Sequence, residues 1–234
     1  MLKALISWSS GKDSAWALHV VHAREDIEVV GLLTTVNRTF DRVAMHAVRR
    51  ELLEAQAAAV GLPLITVEIP ADCDHGTYEA AMRSAIATAR DEGVQAIVFG
   101  DLFLDDIRRY REQQLAGSGL QLLFPLWGRP TNALSTDMLA SGVVAHVACV
   151  DPRLVSPRLA GRTWDSAFIA ELPPGADPCG ENGEFHTFVS AGPMFSRRLS
   201  IVTGEIVNRE GFTFADVLLE AGASDREPVM PTLA

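Results

Sequence analysis

The chain has 234 residues, 48% hydrophobic and 21% charged, which is the profile of a globular protein with a sizeable core and far from that of a disordered or fibrous chain. Thirty acidic against twenty basic residues give a net charge of −10, so broad binding to nucleic acid or to an anionic membrane surface is not expected. Cys73, Cys149 and Cys179 are widely spaced and form no CxxC pair, which argues against a disulfide framework or a structural zinc site.

Eighteen of the basic residues are Arg and only Lys3 and Lys12 are Lys, which together with the high Ala content points to a GC-rich coding sequence and a bacterial source. The segment Met1 to Trp8 lacks the apolar region and cleavage site of a signal peptide, and no stretch approaches the roughly 18 apolar residues of a membrane span. A cytoplasmic protein is the expectation.

In chain order, Leu2 to Ser7, Glu28 to Thr35, Leu64 to Ile69 and Ala96 to Phe99 are short Val/Ile/Leu-rich runs that read as buried strands. Ser14 to Ala23, Ala44 to Val60 and Thr77 to Glu92 read as the helices between them. Strand–helix–strand units with connections of this length imply parallel pairing, hence an α/β fold built on a Rossmann-like doubly wound sheet whose ligands sit at the carboxyl ends of the strands. Beyond Gly100 come a charged helix, Asp105 to Leu115, an apolar run, Leu120 to Trp127, a helix near Asn132 to Ala140 and a strand near Val143 to Val150. The Pro- and Gly-rich stretch from Asp151 to Gly192 holds one expected helix, Trp164 to Leu172, and otherwise reads as shaped loops. Ser200 to Val207 reads as a strand, Asn208 to Gly211 as a turn, and Phe212 to Leu219 as a strand or short helix. The expected division is a nucleotide-binding domain over residues 1–125 and a smaller C-terminal substrate domain over 126–234.

Ser9-Ser10-Gly11-Lys12-Asp13-Ser14 follows the first strand and opens the first helix. A Gly permits close backbone approach, the hydroxyls donate hydrogen bonds, and the first helical turn carries the positive end of the dipole, so an anion such as a phosphate chain suits the loop. It is not a Walker P-loop, since Ile6 stands where that motif needs Gly and Asp13 where it needs Ser or Thr.

The run resembles the SGGxDS signature of the PP-loop, or N-type, ATP pyrophosphatases, with Ser10 where Gly is usual. Gly100 to Glu112, Pro125-Leu126-Trp127 and the loop Gly180-Glu181-Asn182-Gly183-Glu184-Phe185-His186-Thr187 extend the resemblance to the diphthine ammonia ligase family within that superfamily. The resemblance implies an ATP- and Mg2+-dependent ligase that cleaves ATP between the α and β phosphates. A carboxylate or amide oxygen of an acceptor is adenylated, pyrophosphate leaves, and ammonia or an amine displaces AMP. The acceptor is expected to be a small molecule or a modified side chain. Diphthine itself, a modified histidine of the archaeal and eukaryotic translocation factor, would be absent from a bacterium. A sulfur transferase acting on tRNA and a non-catalytic adenine-nucleotide sensor remain as alternatives, and a homodimer is left open.

Site residues follow. Ser9, Ser10, Gly11, Lys12, Asp13 and Ser14, with Gly100 and Asp101, are expected to hold ATP, the β and γ phosphates on the loop and the adenine near the end of the second strand. Asp13 and Asp101 are the candidate magnesium ligands, because magnesium takes a few carboxylates together with water and substrate oxygens. Asp105, Arg108 and Glu112 share one helix face, so Arg108 either reaches phosphate oxygens or joins ordinary pairs on a solvated surface. Asp106, Arg109 and Arg111 are read as such ordinary pairs. His46 follows the second strand and is a candidate acceptor contact. Glu181, Glu184 and His186 are candidates for binding an amine or managing its proton, with Gly183 and Thr187 shaping the acceptor site. Cys179 is read as a small, partly buried residue.

Overall fold

The computed structural model describes residues 1–39, 42–43, 48–70 and 72–220. The expected parallel sheet is present. Its strands are β1 (Leu2–Ser7), β2 (Ile27–Asn37), β4 (Leu64–Ile69), β5 (Ala96–Val98) and β6 (Gln121–Leu123), in spatial order β4-β2-β1-β5-β6, with the short β3 (Arg42–Val43) antiparallel against the end of β2. The strand order reverses between β1 and β5, which places a crevice beyond Ser7 and Val98.

Alternation along the strands assigns their two faces. Ala4 and Ile6 of β1, with Ala96 and Val98 of β5, pack in one core with α1 (Lys12–His22) and α2 (Arg50–Val60). Leu5 and Ile97 point to the opposite face, where Ile86 and Ala89 of α3 (His75–Asp91) and Leu115 at the end of α4 (Asp105–Gln114) cover them. The helix expected from Ala44 is described from Arg50, and residues 44–47, with His46 among them, lie outside the described residues.

The C-terminal part is an antiparallel sheet in the order β10-β11-β7-β8, with β9 also paired to β7. Its strands are β7 (Val144–Val150), β8 (Thr163–Trp164), β9 (Phe185–Ala191), β10 (Ile201–Arg209) and β11 (Phe212–Leu219); α5 (Thr131–Ala140) and α6 (Ser166–Ala170) flank it. Phe212 to Leu219 is thus a strand, joined to β10 by a turn whose Glu210 and Gly211 both have positive φ, the geometry of a tight hairpin. Two readings are corrected. The expected helix from Trp164 shortens because Asp165 caps it, its carboxylate accepting from the Phe168 amide at 2.8 Å, and Trp164 pairs with Ala145 in the sheet. The stretch from Phe185 onward is not a loop: Phe185, Phe188 and Val189 are buried in a core strand.

No gap separates the two sheets. Phe188 and Val189 of β9 and Trp164 of β8 belong to the same core as Ala15 and Leu18 of α1, so α1 is covered by both sheets. Among the described residues, no helix is long and apolar enough to cross a membrane.

Candidate functional site

The loop between β1 and α1 is anchored from behind. Gln56 of α2 is fully buried and accepts from the Trp8 indole at 2.9 Å, while its amide donates to the carbonyls of Ser10 (3.0 Å) and Val189 (2.7 Å). The Val189 amide donates to the Ser10 carbonyl at 3.0 Å, so β9 lends the loop a sheet-like bond. Ser10 adopts φ 71°, a left-handed conformation that explains why Gly would suit the position. Gly100 is required for a different reason: a Cβ there would stand 2.8 Å from the backbone of Asp13 and Ser14, so α1 starts directly against the end of β5.

Two cavities open at the crevice. The smaller, about 210 Å³, is lined by Gly11 to Ser14, by Gly100 and Asp101, and by Glu181, His186 and Thr187 of the C-terminal sheet region. The larger, about 620 Å³ and mostly apolar, lies between α3 and α4 over the ends of β2 and β4, with Leu33, Ile69, Tyr78 and Tyr110 in its walls. Gly11, the N-cap of α1, offers no side chain of its own; the Thr187 hydroxyl takes the Lys12 amide, and the residues of the first turn line the smaller cleft.

Three carboxylates, those of Asp13, Asp101 and Glu181, line it. Asp13 Oδ1 and Asp101 Oδ2 are buried and lack a hydrogen-bond partner. Glu181 accepts from the Leu102 amide at 2.7 Å. Burial pushes its carboxyl up to about 7; the negative charges of Asp13 and Asp101 add to the rise, against the Leu102 amide and Lys12. Asp13 and Asp101 thus each keep an oxygen free of hydrogen bonds, the kind of donor that a hard divalent cation takes, although Asp101 Oδ2 lies in an ion pair with Arg111 and, among the described residues, no group of three or more such side chains is placed to hold a metal.

Lys12 is almost completely buried. Its ammonium pairs with Asp13 at 2.8 Å, donates to the Cys179 carbonyl, and lies 5.6 Å from the ring centres of both Trp164 and Phe185. Burial opposes its charge, but Asp13, with Cys179 and Glu181 contributing, holds its pKa above the usual lysine value. Lys12 thereby ties the loop after β1 to the segment that carries Glu181. Cys179 also borders the cleft, yet burial pushes its thiol up to about 12, which removes it as a nucleophile.

Other expected site residues stand elsewhere. Glu184 is buried and turned back into its own turn, accepting from the Asp177 amide (2.7 Å), the Asn182 amide (3.0 Å) and the Asn182 side chain (3.1 Å). Neither Glu184 nor Gly183 lines the cleft; Gly183 sits in that turn with φ 86°. Arg108 pairs with Glu112 at 2.9 Å and lies against the rings of Phe124 and Trp127, outside both cavities, and Asp105 is exposed. Arg111, read from the sequence as an ordinary surface pair, borders the cleft instead, and Gln56, which sequence reasoning passed over, braces the loop from behind. Arg111 lines both cavities.

The sequence matches two domains of a known family. Residues 2–122 match the diphthamide synthase N-terminal domain, and residues 134–218 match the diphthamide synthase C-terminal domain. The human diphthine–ammonia ligase (Homo sapiens) is 24% identical over 249 residues, covering 95% of this chain and 93% of that protein. The zebrafish diphthine–ammonia ligase (Danio rerio) is 27% identical over 230 residues, covering 89% and 90%. With both family domains matched in order along most of its length, the chain belongs to the diphthamide synthase family.

Proposed function

We propose that the protein is an ATP-dependent ligase that joins ammonia or an amine to an acceptor through an acyl-adenylate or an equivalent adenylated oxygen, with release of pyrophosphate and then AMP. The observation that carries this reading is the adjacency of the two cavities. An apolar chamber of nucleoside size opens onto a smaller cleft that holds a helix N-terminus, two carboxylates that each keep one oxygen without a hydrogen bond, and a Glu whose carboxyl is raised. The names of the relatives supply the ligase chemistry, and the residues supply its distribution.

In this reading the adenine and ribose occupy the chamber between α3 and α4, while the β and γ phosphates rest on Ser9 to Ser14 at the positive end of α1. Magnesium held by Asp13 and Asp101 would neutralise the departing pyrophosphate. Residues 1–125 form the nucleotide side and 126–234 the acceptor side, the two meeting where Lys12 joins the Cys179 carbonyl. The acceptor, a small molecule or a modified side chain, approaches past His186 and Thr187. Glu181, with a carboxyl near neutrality, takes the proton that the nitrogen nucleophile loses on attack. The carboxylate-lined entrance disfavours a nucleic-acid backbone as acceptor.

The test is product analysis. Incubation with ATP, magnesium, ammonium and a panel of carboxylate acceptors should form AMP and pyrophosphate in equal amounts. ADP and phosphate as the products would exclude this mechanism.

A further inference from the structure

The two cavities share Ser7, Ser9, Phe99, Ile107 and Arg111, and Arg111 is the charged residue of that junction. Its guanidinium lies 5.0 Å from the ring centre of Phe99, which fixes its plane at the boundary. Arg111 Nε forms an ion pair with Asp101 Oδ2 at 3.5 Å but no hydrogen bond: both atoms are buried and neither has a hydrogen-bond partner. Even beside Asp101, a buried charged donor without a hydrogen bond is costly, and a second anion at the junction would supply the missing acceptor.

Geometry says which anion. A nucleotide with its base in the larger cavity and its terminal phosphates on the loop after β1 must carry its α-phosphate across the boundary between them. Arg108, one helical turn earlier, is committed to Glu112 and to the Phe124 and Trp127 rings, outside both cavities.

We propose that Arg111 grips the α-phosphate of ATP and is the arginine of the adenylation step, and that Arg108 is a surface-packing residue. The inference rests on the ligase reading above. In the step, the acceptor oxygen forms a bond to the α-phosphorus, the bond from that phosphorus to the bridging oxygen breaks, and its electron pair leaves with pyrophosphate. Negative charge on the non-bridging α-phosphate oxygens then faces the planar guanidinium, which can donate two parallel hydrogen bonds.

The experiment is displacement of a fluorescent ATP analogue, with magnesium present, by adenosine, AMP and ATP, using the full chain and the variants Arg111→Met, Arg111→Lys and Arg108→Met. Arg111→Met should weaken AMP and ATP by roughly tenfold or more and leave adenosine within about twofold, while Arg108→Met leaves all three within about twofold. Arg111→Lys, which retains the charge and loses the fork, should weaken AMP by a smaller factor; it carries the test if the Met variant does not fold. Unchanged AMP affinity in the Arg111 variants would overturn the assignment, as would equal loss for adenosine, which marks a structural role. If the unaltered protein binds none of the three ligands, the nucleotide reading itself fails, an outcome distinct from a failure of Arg111 alone.

Discussion

The backbone amide of Lys12 donates to the hydroxyl of Thr187 at 3.1 Å, joining residues 175 positions apart. A strand of the C-terminal sheet thus satisfies an amide of the first helical turn of α1, where the loop would otherwise need water or ligand. Thr187→Val keeps the shape and removes the acceptor, leaving a buried N–H unpaired. The expected loss is about 1–3 kcal/mol in urea unfolding, with weaker ATP binding as the loop loosens. Stability and affinity both equal to those of the parent protein would show that the two sheets do not shape the loop.

Gln56 makes a sharper case. Its side chain meets the Trp8 indole and the Ser10 and Val189 carbonyls while fully buried. Gln56→Leu leaves those three groups without their partner in a site closed to water, so the unfolding free energy should fall by about 2–5 kcal/mol. The same variant should lower ATP affinity although residue 56 lines neither cavity. A fall in stability with unaltered ATP affinity would separate the hub from the loop it braces.

Such residues show where a sequence can and cannot be read. The strands β1, β2, β4 and β5 are legible because each is a short apolar run closed by turn residues, and the place of the Ser9 to Ser14 loop between β1 and α1 is legible because strand, loop and helix fall in order. Gln56 is silent in the sequence, since a Gln within an Ala-rich helix gives no sign of which face is buried. β9 is obscured by its own polar residues: His186, Thr187 and Ser190 break the apolar run, yet Thr187 and Ser190 are buried because the loop and His146 pair with them. Arg108 and Arg111 differ by three positions on one amphipathic helix. Only the packing of Phe99 under one and of Phe124 and Trp127 under the other decides which faces the crevice.

Glu184 braces the turn from Asp177 to Glu184 from inside. With its two oxygens receiving three N–H donors, Glu184→Gln places an amide N–H2 against some of them and removes the charge. A loss of about 1.5–3 kcal/mol is expected from these charge-assisted bonds. Because the turn from Asp177 to Glu184 also carries Glu181, acceptor-dependent AMP formation should fall while ATP affinity stays close to that of the parent. If ATP affinity collapses and acceptor kinetics hold, the turn belongs to the nucleotide side.

Glu181 links the cleft to pH. Its carboxyl is raised to about 7 in the folded protein against 4.5 for the ordinary group, mainly by burial and then by Asp13 and Asp101. Between these values the folded state holds the proton more tightly than the unfolded one. The Glu181 contribution to stability is therefore complete below about pH 4.5 and is lost as the pH rises through about 7. In chelator-treated protein the melting temperature should fall over that interval more steeply for the parent than for Glu181→Gln, which has no carboxyl to ionise. Magnesium reverses the trend if Asp13 and Asp101 hold it, because a cation beside these carboxylates favours their ionised forms. At pH 8 magnesium should accordingly raise the melting temperature of the parent protein and do so much less for Asp13→Asn or Asp101→Asn. Identical pH profiles for the parent and Glu181→Gln would refute the raised carboxyl, and an equal magnesium response in both Asn variants would place the cation elsewhere.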